Sequence, residues 1–339
     1  MTTLYAFFDM RVLPVNSDLF FFLIRAETAR QDCGADWFRV IVVPGPDEGF
    51  RQGRKYPPEE HQYRVRNMLL PARQFFPACS GILSCRSAAQ AHALQRSLPE
   101  GTPVYPAGYQ ADQPTQAAYD CGLFNGIAQA MRDGRAIPEI RVPEGAKALM
   151  RERVAALSNG RQVITLTLRE TPYKTEINSK LAAWAKLVKT VRQVDGDRFC
   201  PVLVRDTYFA FGPRFGNVLD ELPQLPEAAL DVELRAALYE AAWLNLWTAN
   251  GVSWATCVFN RKVRFIEFGI QNEKHPLHSA AYFRQDMLLE PGQQLPMFTP
   301  FQRIAWHPER ADEMIRSFRR MVADIDALER AGVPARDAA

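Results

Sequence analysis

Short apolar runs alternate with helical stretches along nearly the whole chain, and that rhythm leaves few architectures open. Leu4 to Phe8 is an apolar run of strand length. Ser17 or Asp18 can cap a helix reaching about Gln31, whose Leu19, Phe20, Leu23 and Ile24 recur at helical spacing. Val40 to Val43 is β-branched and stops at the turn signal Pro44-Gly45-Pro46. Glu59 to about Leu70 reads as helix, Gly81 to Cys85 as strand, Ser87 to Leu98 as helix, and Val104-Tyr105 as a strand ended by Pro106. Strands joined through helices pair in parallel, so this order predicts a parallel sheet with covering helices.

A helix is predicted around Gln116 to Arg132, followed by a connection through Pro138, Pro143 and Gly145 where one domain gives way to the next. The rhythm then resumes. Ala146 to Leu157 reads as helix, Asn159-Gly160 as turn, and Val163 to Leu168 as strand. Ser179 to Arg192 is helical with Leu181, Trp184, Leu187 and Val188 on one face. Pro201 to Val204 is a strand, Leu230 to Ala242 a helix, Trp243 to Trp247 a strand, and Val263 to Phe268 another. A last amphipathic helix runs from Glu309 to about Glu329, with Met314, Ile315, Phe318, Met321 and Ile325 on its apolar side. A length of 339 residues suits two domains better than one. The fold class is therefore α/β, with two Rossmann-like domains facing a cleft: residues 1–140, residues 141–330, and a disordered tail over 331–339.

Hydrophobic residues at 47% and charged residues at 23% describe a globular protein able to bury a sizeable core. A net charge of +3 is too small to argue for nucleic acid as a partner. The six cysteines, at 33, 79, 85, 121, 200 and 257, show no C-x-x-C spacing and read as reduced, mostly buried thiols. The opening segment carries Asp9 and Arg11 and lacks the pattern of a secretory leader. The longest apolar run, Leu19 to Ile24, is too short to span a bilayer. The expected location is cytoplasmic, with no transmembrane segment and with peripheral membrane contact left open.

Three strand ends carry the chemistry. Trp247-Thr248-Ala249-Asn250-Gly251-Val252-Ser253-Trp254-Ala255 reads as strand, tight turn and helix start, the helix running to about Asn260. Asn250 and Gly251 both tolerate positive φ, and the helix would aim free N–H groups and its positive end at the turn. That arrangement attracts anions, and it falls at the carboxyl end of a strand, where open α/β sheets bind ligands. Leu166-Thr167-Leu168-Arg169-Glu170 ends a second strand, followed by Asn178-Ser179 as cap of the next helix. The Arg169 guanidinium can grip a phosphate with two donors; it can also pair with Glu170 or Asp206. Val204-Arg205-Asp206 ends the third strand, where Asp206 can accept from a sugar hydroxyl or shape a turn. Gln271-Asn272-Glu273, after the last strand, can touch a sugar.

In the first domain, Asp18 and the Asp47-Glu48 turn are the carboxylates available as a general base. Asp18 also reads as a helix cap, and Asp47-Glu48 as a solvated turn. Asp195-Gly196-Asp197 spells Asp-x-Asp but lies at the wrong end of a strand, so it reads as a turn. His275 and His278 show no third ligand, and no metal site is expected. The chain has no G-x-G-x-x-G after its first strand, no P-loop and no G-x-S-x-G elbow.

These strand ends resemble the nucleotide-binding half of GT-B glycosyltransferases. The strand-Arg169-Glu170 loop is similar to the segment holding the donor diphosphate in fucosyltransferase-like members. The Asn250-Gly251 turn is similar to the late strand–turn–helix of heptosyltransferase-like members, although Ala249-Asn250-Gly251-Val252 stands where an acidic or Ser-rich turn is commoner, and Thr167 stands two residues before Arg169 in place of a His. Leu4 to Arg30 and Val40 to Arg51 resemble the acceptor-side half. The resemblance implies a metal-independent glycosyltransferase without a resident cofactor, moving a sugar from a nucleotide-sugar to a glycan or lipid-linked acceptor. Arg169, Glu170, Asn178, Arg205, Asp206, Asn250, Gly251, Val252 and Ser253 are then donor-binding candidates, and Asp18 and Glu48 catalytic ones. The competing expectations are a non-catalytic binding or scaffold protein of the same fold and a sugar-nucleotide epimerase.

Overall fold

A computed structural model describes residues 1–51, 58–114, 123–172, 174–273, 275 and 278–332. The chain forms two compact units, Met1–Arg141 and Val142–Ala339. In the first, β1 (Thr3–Asp9), β2 (Trp37–Val43), β3 (Cys79–Ser84) and β4 (Val104–Tyr105) make a sheet in the order β3-β2-β1-β4, with every pairing parallel. In the second, β5 (Gln162–Thr167), β6 (Phe199–Val204), β7 (Leu244–Thr248), β8 (Phe265–Phe268) and β9 (Gln302–Ile304) run β6-β5-β7-β8-β9, again all parallel. β9, three residues long, leaves no signal in the sequence.

In the second unit, strand alternation sorts the two faces. Ile164, Leu166 and Leu168 join one buried cluster with Trp184, Leu187 and Val188 of helix Leu181–Asp195 and with Met314, Phe318, Met321 and Ile325 of helix Ala311–Arg330. Trp184 meets Phe268 edge to face, ring centroids 5.8 Å apart. The periodic faces predicted for both helices are the ones buried here. Thr165 and Thr167 point to the opposite face, under helix Val232–Ala241. Their hydroxyls bond to Asn245 Oδ1 at 2.6 Å and to the Tyr239 hydroxyl at 2.9 Å, which satisfies polar groups on a buried face.

The first unit is held by aromatics. Phe8 packs edge-on to Phe22 at 5.2 Å, and Phe20 meets Phe75 at 5.6 Å. Its helix Asp18–Asp32 packs on helix Leu123–Arg132. The predicted helix from Gln116 is described only from Leu123, and residues 115–122 lie outside the described residues, as do 333–339 of the predicted tail. The five described cysteines are free thiols, four of them buried. Among the described residues no helix is long and apolar enough to cross a membrane.

Several caps differ from expectation. Neither Ser17 nor Asp18 caps the first helix. Asn16 Oδ1 accepts from the Asp18 N–H at 2.8 Å instead, and Asp18 is the first helical residue. Asp231 accepts from the N–H groups of Glu233 and Leu234, so the helix predicted from Leu230 starts anew at Val232. Asn178 and Ser179 cap nothing, because helix Leu181–Asp195 starts beyond them. The Asp195-Gly196-Asp197 segment is a turn, closed by the Arg198 N–H on Asp195 O at 3.0 Å.

Candidate functional site

β5 has β6 on one side and β7 on the other, so the chain's connections leave it in opposite directions. In open parallel sheets that reversal opens a crevice at the strands' carboxyl ends. The register Thr167↔Trp247 brings Arg169 beside Ala249, and Arg169 Nη1 donates to Ala249 O at 2.9 Å. The sequence placed Arg169 and the Asn250-Gly251 turn in one row, and the structure brings them into contact.

A directed hydrogen-bond chain fixes this corner. The Arg169 N–H donates to Ser179 Oγ at 2.8 Å, Ser179 and Thr248 hydroxyls meet at 2.5 Å, and Thr248 Oγ1 donates to Glu309 Oε1 at 2.5 Å. Since Glu309 accepts from Thr248, Ser179 is the donor to Thr248. The Lys180 N–H donates to Glu309 Oε2 at 2.7 Å, and burial raises the Glu309 carboxyl above its ordinary range. Thr248, Ser179 and Glu309 were not among the sequence candidates. Nothing local marks them, for the bonds bridge residues 61 and 69 positions apart.

The Arg169 side chain is half-buried with its Nε unpartnered. Burial lowers its pKa, while the nearby Asp206 and Glu176 carboxylates raise it. A guanidinium held back from water with a free donor suits an arriving anion.

The turn after β7 is built differently from the expectation. Asn250 is extended, at φ −149°, and Gly251 is not at positive φ either. The turn is sharp because Asn250 works as an N-cap: Oδ1 accepts from the Ser253 N–H at 2.9 Å, and Nδ2 donates to Thr248 O at 2.8 Å. One of the helix's first N–H groups is thus already satisfied. The amides of Gly251 and Val252 have no acceptor among the described residues. Ser253 is fully buried, its hydroxyl meeting Asn250 Nδ2 at 3.0 Å and the Tyr239 hydroxyl at 3.2 Å, so it holds the turn on the sheet. The helix predicted to Asn260 starts at Gly251 and widens to π geometry over Trp254–Val258.

Other donor candidates reach the same edge but are spent on the fold. Arg205 is 6% exposed and grips Glu170 with Nε at 3.0 Å and Nη2 at 2.5 Å, while Nη1 donates to Pro213 O at 2.8 Å. The ring of Phe215 lies 4.3 Å from its guanidinium. Arg169 therefore does not pair with Glu170. Asn178 clasps Thr171, accepting from its N–H at 3.0 Å and donating to its carbonyl at 2.9 Å. Asp206 Oδ1 caps the turn Thr207–Phe209 at the Tyr208 N–H, 3.2 Å away, and burial raises its pKa. Gln271, Asn272 and Glu273 lie in the loop after β8, which also carries His275 and His278. Among the described residues no group of three or more His, Cys, Asp or Glu is placed to hold a metal ion.

In the first unit, Glu48 sits at φ 48° beside Gly49 at φ 92° in a tight hairpin closed by Asp47 and Phe50. A Cβ at Gly45 would overlap the Phe50 carbonyl, so that glycine makes the hairpin possible. The Glu48 side chain is 70% exposed, with Oε2 3.2 Å from His61 Nδ1. Asp18 is half-buried at the head of its helix. A carboxylate not picked out from the sequence, Asp9, ends β1 fully buried. It accepts from Arg11 Nε and Nη2 at 2.9 and 2.6 Å and from the Tyr109 hydroxyl at 2.6 Å. Arg11 Nη2 also donates to Ala111 O at 2.6 Å.

No family model matches the sequence, and no curated protein does. Solved structures match in shape. The glycosyl transferase family 9 from Veillonella parvula DSM 2008 is similar with a TM-score of 0.52 at 8% identity, over 95% of this chain and 97% of that one. The E. coli ADP-heptose lps heptosyltransferase II is similar with a TM-score of 0.55 at 11% identity, over 96% of this chain and 100% of that one. The chain thus has the GT-B fold of two Rossmann-like domains.

Proposed function

We propose that this protein is a glycosyltransferase that takes its sugar from a nucleotide-sugar and passes it to a glycan or lipid-linked acceptor. The observation that carries the reading is Arg169: a half-buried guanidinium with an unspent Nε at the switch point of the second sheet. The donor diphosphate would take that nitrogen and the Gly251 and Val252 amides. Fixed positive charge at the departing diphosphate stabilises it as a metal would elsewhere, so the reaction is read as metal-independent. The names of the two structures similar in fold, one acting with ADP-heptose, support a nucleotide-sugar as donor. The first unit is read as the acceptor side, with Asp18 and Glu48 as candidate bases and a cytoplasmic setting. Glu48 already stands 3.2 Å from His61 Nδ1.

The test is thermal stability against UDP, GDP, ADP, CDP and CMP, with Arg169→Ala beside the native chain. A nucleotide at 100 times its dissociation constant stabilises by about 2.7 kcal/mol. A melting shift with one nucleotide, lost in Arg169→Ala, supports the reading and names the donor class. No shift with any of them would sink it and favour a binding protein that keeps the fold. Release of nucleotide without an acceptor, with an altered sugar, would point to an epimerase.

A further inference from the structure

The loop after β8 folds back on itself beside the loop after β5. The Asn272 N–H donates to His278 O at 2.8 Å, the His278 N–H to His275 O at 2.9 Å, and the His275 N–H to Asn272 O at 2.9 Å. Asn272 Nδ2 then donates to Glu176 O at 3.3 Å, which ties this loop to the turn Thr175–Ile177. The closure sets two imidazoles edge to face, ring centroids 5.1 Å apart.

The two rings are chemically distinct. His278 Nδ1 lies 2.7 Å from Ile270 O, and a carbonyl only accepts, so Nδ1 carries the hydrogen and Nε2 keeps its lone pair. Burial pushes the His278 pKa down to about 4, with Arg169, His275 and Lys174 adding to the effect, so this ring is neutral near pH 7. His275 is 4% exposed, its Nδ1 has no partner, and its Nε2 stands 4.0 Å from Glu176 Oε1. Among the described residues, the titratable and charged groups facing it are Arg169 at the end of β5, Lys174 and Glu176 in the loop that follows, and His278 on its own loop. Burial lowers the His275 pKa first, Lys174 and Arg169 lower it further, and Glu176 opposes them.

A buried ring nitrogen without a partner is costly, and Arg169 Nε is likewise buried and unpartnered. Arg169 and Lys174 both act on the His275 ring as cations, with Glu176 opposing them. An anion entering there reverses the local field, and a reversed field favours the charged imidazole. We propose that His275 is the proton-binding member of a diphosphate cradle formed with Arg169 and Lys174, taking up one proton as the phosphates bind. The proton stays on the buried ring beside the phosphate oxygens, while neutral His278 Nε2 is left to accept from a ligand hydroxyl. The inference rests on the reading that a diphosphate binds at Arg169.

The test is nuclear magnetic resonance of the imidazoles across pH 5–8 on the full chain, with and without saturating inorganic pyrophosphate. Only five histidines are present, and His275→Asn identifies the signal. The expected result is a His275 midpoint below the ordinary value without ligand, moved up by about one unit or more with pyrophosphate, a tenfold change in proton affinity. Pyrophosphate that binds through Arg169 but leaves the His275 midpoint in place overturns the inference and leaves the donor reading standing. Pyrophosphate that does not bind overturns it too, and the nucleotide melting panel then judges the donor reading by itself. A raised His275 midpoint with no nucleotide shift sinks the transferase reading and keeps the cradle. The native chain supplies the decisive readout, so a poorly folded His275→Asn does not blunt the test.

Discussion

Each sheet has a switch point at its carboxyl edge, and the two are filled in opposite ways. In the first unit the reversal lies between β1 and β4, and Asp9, Arg11 and Tyr109 close it with bonds to one another. In the second it lies between β5 and β7, and Arg169 stands there with a buried nitrogen unspent. One stride away, at the end of β6, Arg205 is consumed by Glu170, Pro213 and Phe215. Of Arg11, Arg169 and Arg205, which follow β1, β5 and β6, only Arg169 has no carboxylate within bonding reach among the described residues. A buried charge must be paired, neutralised or supplied with a ligand. Arg11 and Arg205 take the first course, while Arg169 has only the Ala249 carbonyl and keeps a buried nitrogen unspent.

The second course belongs to Glu267, and it yields the largest expected effect. This residue of β8 is fully buried, Trp254 Nε1 donates to its Oε1 at 2.5 Å, and Oε2 has no partner. Burial raises its pKa from 4.5 to about 8, so the folded chain holds a proton that the unfolded chain releases. Stability is full below the unfolded value and falls by about 1.4 kcal/mol per pH unit as pH rises toward 8, then levels. Urea unfolding across that range should show the slope, and Glu267→Gln should flatten it. A native profile that is already flat would mean the carboxylate is served by a partner after all.

Asp9→Ala is expected to cost about 3–5 kcal/mol in the same measurement, because it strands Arg11 and the Tyr109 hydroxyl. A cost under about 1 kcal/mol would break the contrast between the switch points and make Asp9 a candidate for chemistry. Arg169→Ala should do the reverse: little loss of stability without ligand, and loss of the roughly 2.7 kcal/mol that a nucleotide at 100 times its dissociation constant supplies. If it instead unfolds the chain as Asp9→Ala does, Arg169 is a strut. The smallest effect is at the turn. Asn250→Ala should cost about 1 kcal/mol and Asn250→Gly a few tenths, as a cap would, read from the midpoint of unfolding. Equal losses in the two variants would refute the cap.

Much of the fold was legible because its signals are local. Trp184, Leu187 and Val188 declare their helix face, and the Leu/Thr alternation of β5 declares two sheet faces. The site was legible in part. Arg169 and Asn250 were found as polar residues at strand ends, and both lie at the switch point. Which of the neighbours were free was not visible. Arg205 and Glu170 looked as available as Arg169, yet they are 35 residues apart in sequence and clasp each other. Capping was misread where side chains reach past the nearest helix, as Ser179 does toward Thr248.

The sequence by itself determined the alternation of strands and helices, the division into two α/β units and the row of polar residues at the strand ends. Those follow from periodicities of two and 3.6 residues and from turn residues, which act within a few positions. Only the tertiary structure decided which charge would be left over. Partner choice is settled by sheet order, which sets Ala249 beside Arg169 across 80 residues, Glu309 beneath Thr248 across 61, and the histidine loop against Glu176 across 96. No local pattern encodes such distances, because hydrogen-bond satisfaction in a buried edge is a property of everything that packs against it.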